Sequence, residues 1–235
     1  MRTRIDSGVL TFIVAIALAA PMAASAAGGG GVSSGGSMSA PREMTPEERA
    51  KSAYNQGVRA VKQADKLGKD AAAAANEKKQ AKAAERSQKQ YAKAREYFAA
   101  ATQLQPRMHE AWNYVGYTSR KLGEYDNALA AYGEALRLNP AYAEAIEYRG
   151  EAYLGLNRIE DAKGAYMALF ATARPLAEQL LAAMQQWIVE RRANAAGISA
   201  ADVDTFSHWI DERANIAHQT AAMAVGGAQS HGNWL

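Results

Sequence analysis

The chain has 235 residues, 27 Lys and Arg against 24 Asp and Glu, and a net charge of +3, with 49% hydrophobic residues. That is enough apolar material for a core and too little net charge for the whole chain to act as a polyelectrolyte. The absence of Cys excludes disulfides, thiolate chemistry, Cys-ligated metals and an acyl-modified Cys anchor.

Residues 1–26 read as a signal peptide. Arg2 and Arg4 supply positive charge, Val9 to Ala20 an apolar run, and Ala24-Ser25-Ala26 a small-residue cleavage site. The run is shorter than the ~20 apolar residues that span a bilayer. Arg-Thr-Arg is not a twin-arginine signal, so general secretion to a bacterial periplasm or beyond is expected, with no integral membrane segment left after cleavage. Residues 27–44 form a Gly/Ser-rich leader that buries too little to offset its ordering entropy. Thr45-Pro46-Glu47-Glu48 then opens a helix: Thr can cap, Pro suits the first turn, and the acids favour the positive end of the dipole.

Between Lys62 and Arg95, Lys and Arg outnumber acids and Ala is the main apolar residue. Gly57 and Ala94 stand 37 residues apart, where the corresponding Gly116 and Ala128 stand 12 apart, an excess of 25. Ala, Lys, Gln, Glu and Arg are all strong helix formers. Residues 45–106 are therefore expected to form an irregular first hairpin, with the insert extending its helices into a basic projecting arm. Its tip falls near Gly68 or near Asn76.

Residues 107–174 carry two regular helical hairpins, His109 to Leu138 and Ala143 to Phe170. Trp112, Val115, Gly116 and Ser119 recur at helical spacing, as do Leu129, Tyr132, Ala135 and Leu136. Leu122-Gly123 divides the two helices and Asn139-Pro140 ends the second. A shift of 34 residues maps Gly116 on Gly150, Leu122 on Leu156, Ala128 on Ala162 and Tyr132 on Tyr166. Upstream, the same shift maps Tyr132 on Phe98, Ala135 on Ala101 and Pro140 on Pro106. Small residues at crossings, recurring every 34, mark stacked helical hairpins.

On Trp112, Gly116, Ala128, Tyr132, Ala135 and Pro140 the chain resembles a tetratricopeptide-repeat (TPR) protein, with Val115 for the family's Leu and Ser119 for its Tyr. The next unit keeps Gly150, Tyr153, Ala162 and Tyr166, but has Ile146 for Trp, Arg149 for Leu, and Arg174-Pro175 near the closing Pro. The resemblance implies an all-α, TPR-type helical-hairpin solenoid with an elongated insert in its first repeat. Residues 175–222 then supply C-terminal capping helices. Leu176, Leu180, Met184, Trp187 and Ile188 define one. Ser199 and Asp202 resemble a capping box opening the other, with Val203, Phe206 and Ile210 on one face. Residues 223–235 are expected to be a mobile tail.

Little in the sequence could carry chemistry. His109, His208, His218 and His231 include no pair three or four residues apart, as helical metal ligands would be. No nucleophile elbow or phosphate-cradling loop occurs. No catalytic, cofactor-binding or metal-binding residue is expected, and the chain does not read as an enzyme. The basic insert lacks aromatics other than Tyr91 on which bases could stack, so nucleic acid is not an expected partner. The resemblance implies a concave groove lined by Asn113, Tyr117 and Arg120 from one hairpin and Glu147, Glu151 and Leu154 from the next. The glutamates would repel a carboxylate, so a protein or peptide segment of some basic character is the expected partner. An alternative is a surface-associating protein whose basic arm binds an anionic envelope polymer. Salt dependence separates the two, and neither reading specifies an oligomeric state.

Overall fold

The computed structural model describes residues 42–230, with the side chains of 42–217, 219 and 220. The expected signal peptide, nearly all of the leader, and residues 231–235 lie outside them. Eight helices and no strand occur among the described residues: α1 (Pro46–Ala72), α2 (Glu77–Leu104), α3 (His109–Lys121), α4 (Tyr125–Leu138), α5 (Ala143–Gly155), α6 (Ile159–Thr172), α7 (Arg174–Ala193) and α8 (Ala200–Ser230).

Each hairpin starts and stops where local chemistry requires. Thr45 caps α1 in a full capping box: its hydroxyl accepts from the Glu48 N–H at 3.2 Å, while Glu48 accepts from the Thr45 N–H at 2.8 Å. Asn76 caps α2 by accepting from the Lys79 N–H at 2.9 Å. The turn of the long hairpin therefore lies at 73–76, while Gly68 sits inside α1, where a Cβ would meet only the Ser87 hydroxyl at 3.6 Å. Gly123 turns α3 into α4 at φ +79°. One period later the same left-handed position is held by Asn157 at φ +57°, the residue type that tolerates it best after Gly.

The hairpins close through small residues. Phe98 lies against Gly57 and Tyr132 against Gly116, where an added Cβ would come within 2.7 Å and 2.5 Å of the rings. Both rings are fully buried. In the third unit Leu180 of α7, together with Ala165, fills the space beside Gly150. Ala128, Ala135, Ala145, Ala152 and Ala162 are also fully buried where helices cross. The core is thus a file of aromatic side chains slotted into glycine and alanine faces.

α7 continues the stack on α5 and α6, and its core of Leu180, Leu181, Met184, Trp187 and Ile188 is shared with Val203, Phe206 and Ile210 of α8. The buried Trp187 Nε1–H donates to the Leu154 carbonyl at 2.7 Å, at the end of α5 where helical carbonyls need partners. Arg174 and Pro175 open α7 rather than close α6, because Pro at the first turn forfeits no helical hydrogen bond. Ser199 accepts from the Asp202 N–H at 3.1 Å and donates to its carboxylate at 2.6 Å at the start of α8.

Two expectations need correction. α8 extends to Ser230, so residues 223–230 belong to a helix and not to a separate tail; Ala, Met and Gln outweigh the cost of Gly226-Gly227 there. The insert is not wholly a projecting arm. Ser87 donates to the Ala64 carbonyl at 2.8 Å and Gln88 to the Lys121 carbonyl at 3.2 Å, so its inner half packs on α1 and α3.

Candidate protein-interaction surface

Along one side of the stack, α1, α3 and α5 contribute a row of tyrosines. Tyr54 and Tyr114 meet edge to face at 5.7 Å, as do Tyr114 and Tyr117 at 6.2 Å, and the Tyr117 and Tyr148 rings are tilted on each other at 5.2 Å. All four are partly buried. Such rings offer a large amphipathic area with few rotors. Phe98 stacks under Tyr114 at 4.6 Å and fixes its plane.

Beneath this row lies a polar layer. Asp65 of α1 accepts from Tyr91 of α2 at 2.5 Å and from Tyr117 of α3 at 3.1 Å. Burial above all, with the Asp65 charge beside it, holds both phenols well above their ordinary pKa, so both hydroxyls remain donors. Arg120 forms an ion pair with Glu151 of α5, with side-chain exposures of only 12% and 26%. Its guanidinium also lies 5.5 Å from the centres of the Tyr117 and Tyr148 rings, within cation–π range. Burial disfavours the Arg120 charge, but Glu151, Tyr132 and Glu147 together outweigh it and keep the guanidinium above the ordinary arginine value.

Glu147, one turn before Glu151, is 2% exposed, and its Oε2 has no hydrogen-bond partner among the described residues. Burial first and the neighbouring Glu151 charge second push its pKa up to about 8, although Arg120 pulls the other way. Glu147 is therefore mainly neutral at pH 7.

Beside the tyrosine row opens a cleft of about 520 Å³. Its walls come from the inner half of the long hairpin (Gly68, Ser87, Gln88, Tyr91), from Arg120, Lys121 and Tyr125, from Glu151 and Leu154, and from Gln186, Trp187, Glu190 and Arg191 of α7. Lys121 is exposed at the rim, 5.8 Å from the Tyr91 ring centre and 5.9 Å from that of Tyr117.

Of the six residues expected in the groove, Arg120, Glu151 and Leu154 line this cleft, and Tyr117 joins the tyrosine row. Asn113 and Glu147 are buried between α3 and α5, where the Asn113 amide points at the Tyr142 hydroxyl at 3.4 Å. The expected acidic surface is absent, because Glu151 is neutralised by Arg120 and Glu147 holds its proton. Sequence reasoning passed over Tyr114 and Tyr148, although they stand one 34-residue period apart and share a phase. It also missed the α7 wall, since α7 keeps no repeat pattern. Among the described residues, no group of three or more His, Asp and Glu could hold a metal, and no helix is long and apolar enough to cross a membrane.

The family model described as a TPR repeat matches residues 116–157, which span α3 to the α5–α6 turn. No curated protein matches the chain. Among solved structures, the first TPR of Spaghetti (RPAP3), bound to the HSP90 peptide SRMEEVD, is similar at 17% identity and a TM-score of 0.45. That alignment covers 60% of this chain and 95% of the other. The Arabidopsis OM64 TPR domain is similar at 17% identity and a TM-score of 0.38, with 55% and 96% covered. Residues 116–157 thus carry a TPR repeat, and the helices stacked on either side of it extend it into an all-α helical-hairpin solenoid.

Proposed function

We propose that the chain is a non-catalytic scaffold that holds a protein or peptide segment along its concave side, with the tyrosine row as the apolar contact and the cleft as an anchoring recess. The observation that carries this reading is the row Tyr54–Tyr114–Tyr117–Tyr148, whose rings pack on one another and on Phe98 while staying partly exposed. Rigid aromatic surface of this kind binds at low entropic cost. In the cleft Glu151 is paired with Arg120, and Lys121 and Arg191 outnumber the remaining acid, Glu190, so the fitting segment is apolar with an acidic group, rather than basic.

Tyr117 and Arg120 hold the hairpins together, so changing them would confound binding with folding. The test therefore uses the exposed rim. Crosslinking in intact cells identifies the partner, and a synthetic segment of it is titrated against wild type and Lys121→Glu/Gln186→Glu. The reading expects at least a tenfold loss of affinity with an unchanged melt. Full affinity in the rim variant would refute the cleft as the anchoring site.

The setting belongs to the same reading. The charge, apolar and small-residue order of 1–26 supports export with the mature chain starting at Ala27. N-terminal sequencing of the exported chain decides it, and recovery of Met1 on a membrane-bound product would sink it.

A further inference from the structure

The outer face of α2 carries a row of cations that the concave site does not use. Lys78, Lys79, Lys82, Arg86, Lys89 and Lys93 are all exposed. At 3.6 residues per turn they fall within an arc of roughly 100°, and at 1.5 Å per residue the row runs about 22 Å along the helix. The arc lies opposite the buried face made by Ser87, Tyr91, Ala94 and Phe98. Across the hairpin, Arg59, Lys62, Lys66 and Lys69 form a shorter row on α1.

On the repeats and the capping helices, several surface cations are neutralised locally. Arg95 pairs with Glu124, Arg137 with Glu134, Arg158 with Asp161, Lys163 with Glu160 and Arg192 with Asp204. In the α2 row only Lys89 is paired, with Glu85 at 2.6 Å and both partners well exposed. Lys78, Lys79, Lys82 and Arg86 have no ion-pair partner among the described residues. The helix that carries them spans 28 residues, against 13 and 14 for α3 and α4. Its extra turns bury almost nothing: from Glu77 to Arg86 only Ala83 is even half-covered. Repulsion along an unpaired row of like charges opposes helix formation. The extra length therefore adds charge display without adding core.

We propose that this face of α2 binds a linear polyanion whose charges lie on its backbone, of the phosphate-polymer type. The row is a band about 100° wide that runs along the helix axis, which matches a string of charges. A flat anionic surface would also bring Glu85, at the edge of the band, and Glu96, one turn beyond Lys93, against it. Five of the six cations are lysines, compact point charges that can meet phosphates along a chain without the bidentate geometry of an arginine fork. No aromatic side chain lies between Glu77 and Gln90, so neither base stacking nor a bilayer wedge contributes there.

Inorganic polyphosphate is the probe, titrated against the full chain by fluorescence anisotropy from low to physiological salt. Six contacts to a single-stranded polyanion give a slope of log K against log salt of about −4. Lys82→Gln/Arg86→Gln/Lys89→Gln should cut the slope to about −2 and the affinity at least tenfold, with helicity retained because Gln is a comparable helix former. The control, Arg59→Gln/Lys62→Gln/Lys66→Gln, removes the same charge from α1 and should move the slope by less than about 1. No salt-dependent binding by wild type, or equal losses in both triple variants, overturns the proposal. So does binding to vesicles rich in phosphatidylglycerol that polyphosphate fails to compete away.

Discussion

Replacing Gly116 by Ala tests the slotted packing against the helix propensity that opposes it. On propensity alone, Gly→Ala inside a helix should stabilise by about 1 kcal/mol. At Gly116 the new Cβ would stand 2.5, 2.6 and 2.9 Å from Cε1, Cδ1 and Cζ of Tyr132, a ring that is fully buried. It cannot swing away without displacing Ala128 or Ala135, which are 0% exposed. Overpacking of this kind costs about 1–3 kcal/mol, so it should outweigh the propensity gain and leave a net loss of about 1 kcal/mol. Gly133, in the next helix, has nothing within 4 Å of its Cβ position and should show the propensity gain alone. The two variants should therefore lie about 2 kcal/mol apart, or roughly 4–8 °C in Tm for a chain of this size. Thermal melts of Gly116→Ala and Gly133→Ala, run side by side, decide it. If Gly116→Ala melts above wild type, as Gly133→Ala should, the approach of α3 to α4 is not the tight crossing described above.

Glu147 predicts a pH dependence with a definite sign. Its folded pKa of about 8 lies above the ordinary 4.5, so the folded state binds the extra proton, and stability is greatest below 4.5 and declines as pH rises towards 8. Glu147→Gln should flatten that decline, and urea melts that show the same slope for both proteins would refute the assignment. Trp187→Phe removes the bond to the Leu154 carbonyl and should cost about 1 kcal/mol, loosening α7 first, as hydrogen exchange would show. Deleting 69–86 with a short turn in its place removes the hairpin end but spares the Ser87–Ala64 and Tyr91–Asp65 bonds. The deletion should cost less than about 0.5 kcal/mol and so move the melt by less than about 2 °C, and collapse of α3–α8 on that deletion would place the segment inside the stack.

The fold was legible because steric demands recur with the repeat. Gly116, Gly150, Ala128 and Ala162 stand where helices touch, and a period of 34 exposes them without any knowledge of partners. The hairpin tip was not legible, since an Ala/Lys helix has no apolar stripe to end. Gly68 looked like a breaker, whereas it lies on an open face where Gly is merely tolerated. The concave residues were legible as positions but not as environments. Arg120 and Glu151 lie on facing helices one period apart, so their approach follows from the repeat. The burial of Glu147 and Asn113 depends on the neighbours packed around them, and no single repeat encodes those.

The bonds to Asp65 have a consequence for uniqueness more than for strength. Apart from Phe98 in its slot beside Gly57, much of the buried surface of α1 and α2 is alanine: Ala50, Ala60, Ala64 and Ala71 on one helix, Ala94 and Ala101 on the other. Alanine by itself sets the alignment of two helices only weakly. The carboxylate of Asp65, held by one hydroxyl from α2 and one from α3, fits only a single alignment of three helices. A buried polar contact of this kind selects among near-degenerate packings. Without it the long hairpin would keep its helicity yet populate neighbouring alignments, and the tyrosine row and the cleft wall would blur together with them.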